Sequence, residues 1–216
     1  MTTADEGRTS GGRGQARTRL ARAAVIAVAR DLFVERGYGT TTIETISAHA
    51  DVPQATVYRL FSSKRGILKA ILDVSIAGDD APVSLPDRAT VRAPLADPDP
   101  RNQLAGFVAV ASEVNSRAAP IYRVLVGAAS SDPDVAELLD DLNRQRRAGQ
   151  GQVVRSLASA GVLRPGVRQR DAADVVYTLM SPEVYRLLVL DRGWSSHRYE
   201  RWLTATLVDC LLPHSD

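Results

Sequence analysis

The sequence has little cysteine and no recognisable metal-binding spacing. Cys210 is the one cysteine among 216 residues, so an internal disulfide is excluded and no Cys/His metal pattern can form. Because Cys210 lies in an apolar stretch, we expect a buried and unreactive thiol. The sequence therefore predicts neither a structural metal nor a cofactor.

Long apolar runs are also missing. No uninterrupted stretch of about 18 apolar residues occurs, so no membrane-spanning helix is expected. The N-terminus is polar and lacks the apolar segment of a signal peptide. Hydrophobic residues still make up 44% of the chain, which is ordinary for a globular protein. These features predict a cytoplasmic protein without a membrane partner.

The motifs of common enzyme classes are absent as well. The sequence has no Gly-rich phosphate loop, no metal-binding histidine pair and no Gly-x-Ser-x-Gly elbow. Its three histidines, His49, His197 and His214, are scattered. We therefore expect no enzymatic activity.

Charge is unevenly divided along the chain. Residues 1–70 hold 11 Lys and Arg against 6 Asp and Glu, whereas the whole chain carries a net charge of +2. The remainder is therefore net acidic. A basic N-terminal third favours a nucleic-acid partner for that part of the chain.

Residues 40–69, TTTIETISAHADVPQATVYRLFSSKRGILK, predict two short helices and the start of a third. Thr41 and Glu44 have the spacing of a capping box at a helix start. Asp51 tolerates the left-handed conformation that ends a helix, and Pro53 suits the first turn of the next one. The pattern is typical of a helix-turn-helix.

The second of these helices, residues 54–61, directs apolar side chains inward and polar ones outward. Such a helix pair also occurs in all-helical proteins that do not bind DNA. Here the outward face offers amide, hydroxyl and guanidinium groups, which contact base edges and phosphates. Three basic residues follow at once: Lys64, Arg65 and Lys69. Together these features favour DNA binding.

The block from Val25 to Leu72 resembles the N-terminal DNA-binding domain of the TetR family of bacterial transcriptional regulators. The matching motifs are Leu32-Phe33, Gly37-Tyr38, Thr41-Thr42, Ile46, Ala50 and the run Thr56-Val57-Tyr58-x-x-Phe61-x-x-Lys64-x-x-Ile67-Leu68. The sequence departs at Asp51, where the family usually has Gly, and at Pro53, where it usually has a capping Ser.

The resemblance implies an all-α fold with an N-terminal three-helix helix-turn-helix domain and a C-terminal helical domain for ligand binding and dimerisation. Gln54, Thr56 and Ala55 are expected at base edges. Thr42, Tyr58 and Lys64 match phosphate-contacting positions, and Arg59 can do either. The full set of predicted DNA contacts is Thr41, Thr42, Gln54, Ala55, Thr56, Tyr58, Arg59 and Lys64.

Four segments are expected along the chain. Residues 1–17 form a disordered arm whose arginines either lie along DNA or are simply solvated. Residues 18–77 form the DNA-binding domain with a linking helix that Ser62 or Ser63 caps. Residues 78–100, rich in Pro and Asp, form a linker without regular helix. Residues 101–216 form the ligand-binding and dimerisation domain.

Helices in this last segment are predicted from apolar periodicity and proline positions. The expected spans are Arg101 to Ala118, a second helix opened by Pro120, Asp132-Pro133 to Gly161, Gln169 to Arg192 with a kink or restart at Pro182, and Ser195 to Leu212. The charged stretch from Arg144 to Arg147 is expected to be a solvated turn of its helix.

The last two predicted helices are unusually apolar. This favours a four-helix seam between two copies across a two-fold axis, although the same residues can instead complete an intramolecular core. The stretch from Ser181 to Trp202 also resembles the C-terminal dimerisation region of one TetR subgroup. The predicted dimer contacts are Val184, Leu187, Leu188, Trp202, Leu203, Leu207 and Leu211.

The resemblance further implies an effector pocket in the C-terminal domain. Its candidate lining residues are Phe107, Val110, Glu113, Val114, Tyr122, Tyr177 and Met180, each of which can equally be plain core. The predicted function is that of a homodimeric repressor which a small-molecule effector releases from a palindromic operator. The alternatives are a helical small-molecule-binding dimer with a vestigial helix-turn-helix, and an activator of the same fold.

Overall fold

The computed structural model describes residues 8–78 and 88–214, and every regular element in these ranges is a helix. This confirms the predicted all-α fold. None of the described helices is both long and apolar enough to cross a membrane. The helices are α1 Arg8–Arg36, α2 Ile43–Ala50, α3 Gln54–Phe61, α4 Lys64–Ala77, α5 Ala89–Leu95, α6 Pro100–Ala129, α7 Pro133–Ser159, α8 Gln169–Leu179, α9 Pro182–Tyr185 and α10 Ser196–Leu211.

Contacts divide the chain into two compact units. The N-terminal unit ends at Asp73 and also includes Arg123–Ala136, and the C-terminal unit comprises Val74–Tyr122 and the chain from Glu137 onward. The end of α6 and the start of α7 thus belong with the helix-turn-helix. Sequence reasoning had assigned all of residues 101–216 to the other domain, because composition does not show which unit a helix end joins.

The core of the N-terminal unit is built on α1. Its predicted apolar stripe is buried: Val25, Ile26, Ala29, Leu32 and Phe33. Ile46 of α2, Val57 of α3 and Ile67 of α4 are fully buried as well. Each large apolar side chain stabilises the fold by roughly 1.5–3 kcal/mol on burial. Three short helices too small to be stable alone are therefore held by their shared core.

The first helix begins at Arg8 and not at Thr18. Once a helix has nucleated, each further residue adds a backbone hydrogen bond at little cost, and the Arg- and Gln-containing sequence before Thr18 does not stop it. Residues 1–7 of the predicted disordered arm lie outside the described residues.

The predicted linker contains a helix, α5, with Pro94 inside it. The expectation that prolines exclude regular helix there was wrong for residues 89–95. Pro94 lies in the last turn, where only one hydrogen bond is lost, and it packs so closely on Gly106 that a Cβ at Gly106 would meet its Cβ at 2.7 Å. Residues 79–87 of the linker lie outside the described residues.

Pro120 lies within α6 and does not open a new helix. A proline removes one internal bond and crowds the preceding turn. Buried side chains on both sides of Pro120 favour a continuous helix nonetheless: Ala118, Ala119, Ile121, Tyr122 and Leu125. Packing here outweighs the local preference on which the prediction relied.

Pro182 does restart a helix, as predicted. Ser181 is the N-cap of α9, with its hydroxyl accepting from the Val184 amide at 3.2 Å. The chain then continues as a π-helix, Arg186–Asp191, before Gly193 turns it into α10 with a φ of 68°. Periodicity did not predict the π-helix, because its apolar spacing is close to that of an α-helix.

Candidate functional site

The candidate DNA-contacting face is the outer side of α3. Val57 and Phe61 are buried and Thr56 is half-buried. Four side chains are exposed: Gln54, Ala55, Tyr58 and Arg59. Because positions three and four apart share a helix face, these groups form one outward surface. It offers an amide, a methyl, a phenol and a guanidinium to a nucleic acid.

A tight turn fixes α3 against α2. Asp51 adopts the predicted left-handed conformation, with φ 51° and ψ 42°. Val52 is buried beneath the turn, and the Ser47 hydroxyl donates to its carbonyl oxygen at 2.6 Å. Pro53 is the N-cap of α3 rather than part of its first turn, and it makes no side-chain cap bond. The turn therefore depends on the burial of Val52, on backbone hydrogen bonds and on the Ser47 hydroxyl.

Thr41 and Thr42 have different roles. Thr41 is 1% exposed, and its hydroxyl donates to the Gly37 carbonyl oxygen at 2.9 Å. It stabilises the turn after α1 and has no surface left for DNA, contrary to its predicted role. Thr42 is exposed and is the N-cap of α2, accepting from the Thr45 amide at 3.1 Å. The predicted Thr41–Glu44 capping box was thus wrong, because the N-cap of α2 is Thr42, one residue later than predicted.

Lys64 lies at the first turn of α4 and is partly committed within its own unit. Its Nζ donates to the Tyr38 carbonyl oxygen at 2.8 Å and lies 4.2 Å from the centroid of the Tyr38 ring. Burial lowers the pKa of Lys64, and the Asp132 carboxylate opposes this. Burial, followed by Asp132 and Asp134, raises the pKa of Tyr38 to about 12. An ammonium has three donor hydrogens, so Lys64 can still bind a phosphate.

The residues predicted to line an effector pocket differ in how far they are buried. Phe107, Tyr122 and Met180 are buried, whereas Val110, Val114 and Tyr177 are half-buried. Glu113 is exposed and pairs with Arg117 at 2.7 Å, so it is a surface residue.

Two of these residues border a polar cluster in the C-terminal unit. The Tyr122 hydroxyl donates to Asn143 Oδ1 at 3.2 Å, and the Arg146 guanidinium lies 3.8 Å from the centroid of the Tyr177 ring. Burial and then Glu183 raise the pKa of Tyr122 to about 12, while Arg146 opposes the rise. The sequence predicted that Arg146 belongs to a solvated turn. That prediction was wrong, because Arg146 contacts this cluster.

Sequence reasoning missed the α7 side of this cluster. Asn143, Arg146 and Gln150 recur at spacings of three and four, which places them on one helix face. That spacing was the available signal. It was hidden because the neighbouring Arg144 and Arg147 are exposed and make the stretch look like a solvated run.

The predicted dimer residues divide into two groups. Leu203, Leu207 and Leu211 are fully buried against their own chain, so their assignment to an interface was wrong. They are on the inner face of α10, and only the burial pattern distinguishes that face from the outer one. Leu187 is 48% exposed, and the others are half-buried: Val184, Leu188 and Trp202.

The outer face of α10 borders an open groove of about 760 Å³. Thr204, Ala205 and Val208 line it, together with charged residues and two histidines. Within residues 8–78 and 88–214, no group of three or more His, Cys, Asp or Glu side chains is placed to hold a metal ion.

Comparison with known proteins gives a consistent result. Residues 25–71 match the family model for bacterial regulatory proteins of the tetR family. The HTH-type transcriptional regulator YdeS of Bacillus subtilis is 28% identical over 182 residues, which is 82% of this chain and 83% of that protein. An HTH-type transcriptional repressor of Mycobacterium tuberculosis is 34% identical over 76 residues, covering 32% of this chain and 40% of its own.

Solved structures share the fold. The SmeT–triclosan complex superposes with a TM-score of 0.70 at 18% identity, covering 89% of this chain and 92% of that one. The ketosteroid transcriptional regulator KstR2 of Mycobacterium tuberculosis gives 0.60 at 19% identity, covering 89% and 95%.

Proposed function

We propose that the chain is a DNA-binding transcriptional regulator of the TetR family and acts as a homodimeric repressor. It binds a palindromic operator and leaves it when a small organic molecule binds the C-terminal unit. The observation that carries this proposal is the polar face of α3, whose side chains Gln54, Ala55, Tyr58 and Arg59 are exposed.

Each reading helix enters a major groove of double-stranded DNA. Gln54 pairs with an adenine edge and the Ala55 methyl packs on a thymine methyl, since these are the matches that their chemistry allows. Thr56 lies beside them at the first turn. The phosphates on either side are bound by Thr42, Tyr58, Arg59 and Lys64. This polar face argues against a vestigial helix-turn-helix.

A second copy of the chain covers the outer face of α10 and the adjacent π-helix. Leu187 and Leu190 are about half exposed, and the groove beside Ala205 and Val208 accepts side chains from a partner. A two-fold dimer presents two identical reading helices, so the operator is an approximate palindrome. Its half-sites are spaced by roughly 34 Å or more.

The effector acts by binding one dimer geometry better than the other, because only differential affinity can shift such an equilibrium. SmeT forms a complex with triclosan, and KstR2 is named a ketosteroid transcriptional regulator. A small organic molecule thus binds one protein with this fold, which supports a small organic ligand here.

The test is the sequence that the protein selects from a pool of random DNA. Gln54→Ala is expected to lose its preference at one position of each half-site, at a cost of about 1–3 kcal/mol on the wild-type site. Glu35→Ala, on the exposed side of α1, is the control and keeps the wild-type site. If Gln54→Ala selects an unchanged site, the proposed reading role of α3 is wrong.

A further inference from the structure

Arg146 is held at the polar cluster of the C-terminal unit with one edge unused. Its Nη1 donates to the Tyr177 carbonyl oxygen at 3.0 Å, and its guanidinium stacks on the Tyr177 ring. Its Nε is buried and has no hydrogen-bond partner within residues 8–78 and 88–214. A buried donor without a partner is unfavourable in a native protein and calls for an explanation.

The unused edge has the geometry of a carboxylate site. A guanidinium binds a carboxylate through two parallel N–H groups. Because Nη1 is engaged with the Tyr177 carbonyl, the Nε and Nη2 pair remains. No acidic side chain in the described part of the chain forms an ion pair with Arg146. Glu183 is exposed, and its carboxylate raises the pKa of Tyr122.

Gln150 supplies an unused acceptor one turn further along α7. Its Nε2 donates to the Met180 carbonyl oxygen at 3.3 Å, and Asn115 Nδ2 donates to the same oxygen at 3.2 Å. Its Oε1 is buried without a partner. Rotating the Gln150 amide would place Oε1 against the Met180 carbonyl oxygen, and two acceptors cannot hydrogen-bond to each other. A flipped amide therefore gives Oε1 no partner there.

A donor edge and an acceptor therefore share one face of α7 at i, i+4 spacing. An apolar ligand would leave both groups unpaired. A cationic ligand would be repelled by the guanidinium. A ligand with a carboxylate satisfies Arg146, and a hydroxyl on that ligand or an ordered water satisfies Gln150.

We propose that Arg146 and Gln150 hold the carboxylate end of an organic anion. This inference rests on the proposed function in one respect: the anion is the effector that releases the operator. The carboxylate is bound side-on by Nε and Nη2 of Arg146, and the Tyr177 ring fixes the plane of the guanidinium.

The test uses full-length protein and matched probes at constant ionic strength. The probes are acetate, hexanoate, benzoate and salicylate, each compared with its neutral primary amide, and the readouts are melting temperature and calorimetric Kd. We expect carboxylates of this series, and not their amides, to raise the melting temperature. Arg146→Gln is expected to weaken that binding roughly 10- to 100-fold, and Arg146→Lys to weaken it as well while retaining the charge.

Arg147→Gln is the matched control. Arg147 is the next residue and faces the same Tyr177 ring at 5.0 Å, but it is exposed, so its loss should leave carboxylate binding unchanged. The proposal is overturned if no carboxylate of the series binds, if the amides bind equally well, or if Arg146→Gln and Arg146→Lys bind as the wild type does.

Operator release, followed by fluorescence anisotropy, separates the site from the effector role. Carboxylate binding that needs Arg146 but leaves the operator bound would support the site and overturn its role as the effector site. Release by a neutral compound, equal in wild type and Arg146→Gln, would support effector control and overturn the carboxylate as its trigger.

Discussion

At the scale of single residues, Gly66 has the least room for a side chain among the described glycines of the N-terminal unit. A Cβ there would lie 1.9 Å from the Phe61 carbonyl oxygen, closer than two atoms can approach. Ser63 caps α4 one turn before it, accepting from the Gly66 amide at 3.0 Å. The chain between α3 and α4 therefore folds back directly onto this glycine.

Gly66→Ala is expected to lower the free energy of unfolding by about 1–3 kcal/mol, because the α3–α4 connection must shift to admit a methyl group. Urea unfolding followed by circular dichroism measures this. Gly39→Ala is the control, since a Cβ at Gly39 meets nothing within 4 Å. Equal stability of the two variants would contradict the close approach at Gly66.

Part of the connection between α3 and α4 could be predicted from the sequence. A cap at Ser62 or Ser63 was predictable because Ser stands directly before a helical pattern. The role of Gly66 was not predictable, because it depends on the path of Phe61 to Ser63. Ser62 has a φ of 63°, and no periodicity in the sequence indicates that backbone conformation.

Tyr122 makes the stability of the protein sensitive to high pH. Its pKa is raised to about 12 by burial and by Glu183, against an ordinary value near 10. The unfolded chain therefore loses its phenol proton first, and the stability that the neutral phenol contributes is present below pH 10 and is lost as the pH rises towards 12.

Tyr122→Phe is expected to reduce the fall in unfolding free energy between pH 10 and pH 12. Tyr38 and Tyr199 have pKa values that are also raised chiefly by burial. They therefore account for the fall in unfolding free energy that remains in this variant. Urea titrations at several pH values measure the difference. An identical pH profile in wild type and Tyr122→Phe would show that the native state does not hold this phenol neutral.

At the scale of elements, two prolines show which helix boundaries can be predicted from the sequence. Ser181 before Pro182 gives a side-chain cap and a new helix, and that local signal was sufficient. Pro120 has no such cap, and buried neighbours keep α6 continuous. Local chemistry predicted the first outcome, whereas the second depends on packing that only the folded chain shows.

We expect α3 and the first turn of α4 to contribute differently to DNA binding. Arg59 is exposed, so Arg59→Ala is expected to weaken all DNA sites alike and to reduce the salt slope by about 0.9. Lys64 also donates to the Tyr38 carbonyl, so Lys64→Ala should weaken DNA binding and lower the unfolding free energy. Anisotropy titrations at several salt concentrations, with urea unfolding, distinguish these effects. A stability loss in Arg59→Ala alone would contradict the assignment.

At the scale of the whole molecule, the proposed interface between two copies was the hardest feature to predict from the sequence. The apolar stripes of the last helices were visible in the sequence, but one stripe can serve a core or a partner. Full burial of Leu203, Leu207 and Leu211 assigns that stripe of α10 to its own unit. Leu187 and Leu190 are about half exposed, and with the outer face of α10 they form the surface on which we propose that a second copy binds.

The most direct measurement is selection of operator DNA from a random pool by the purified full-length protein, followed by a salt titration on the selected site. We expect an approximate palindrome bound by two chains, with an affinity that falls steeply with salt because each half makes several phosphate contacts. Enrichment of a single unrepeated half-site, or no enrichment by a folded dimer, would contradict a two-headed reader of DNA.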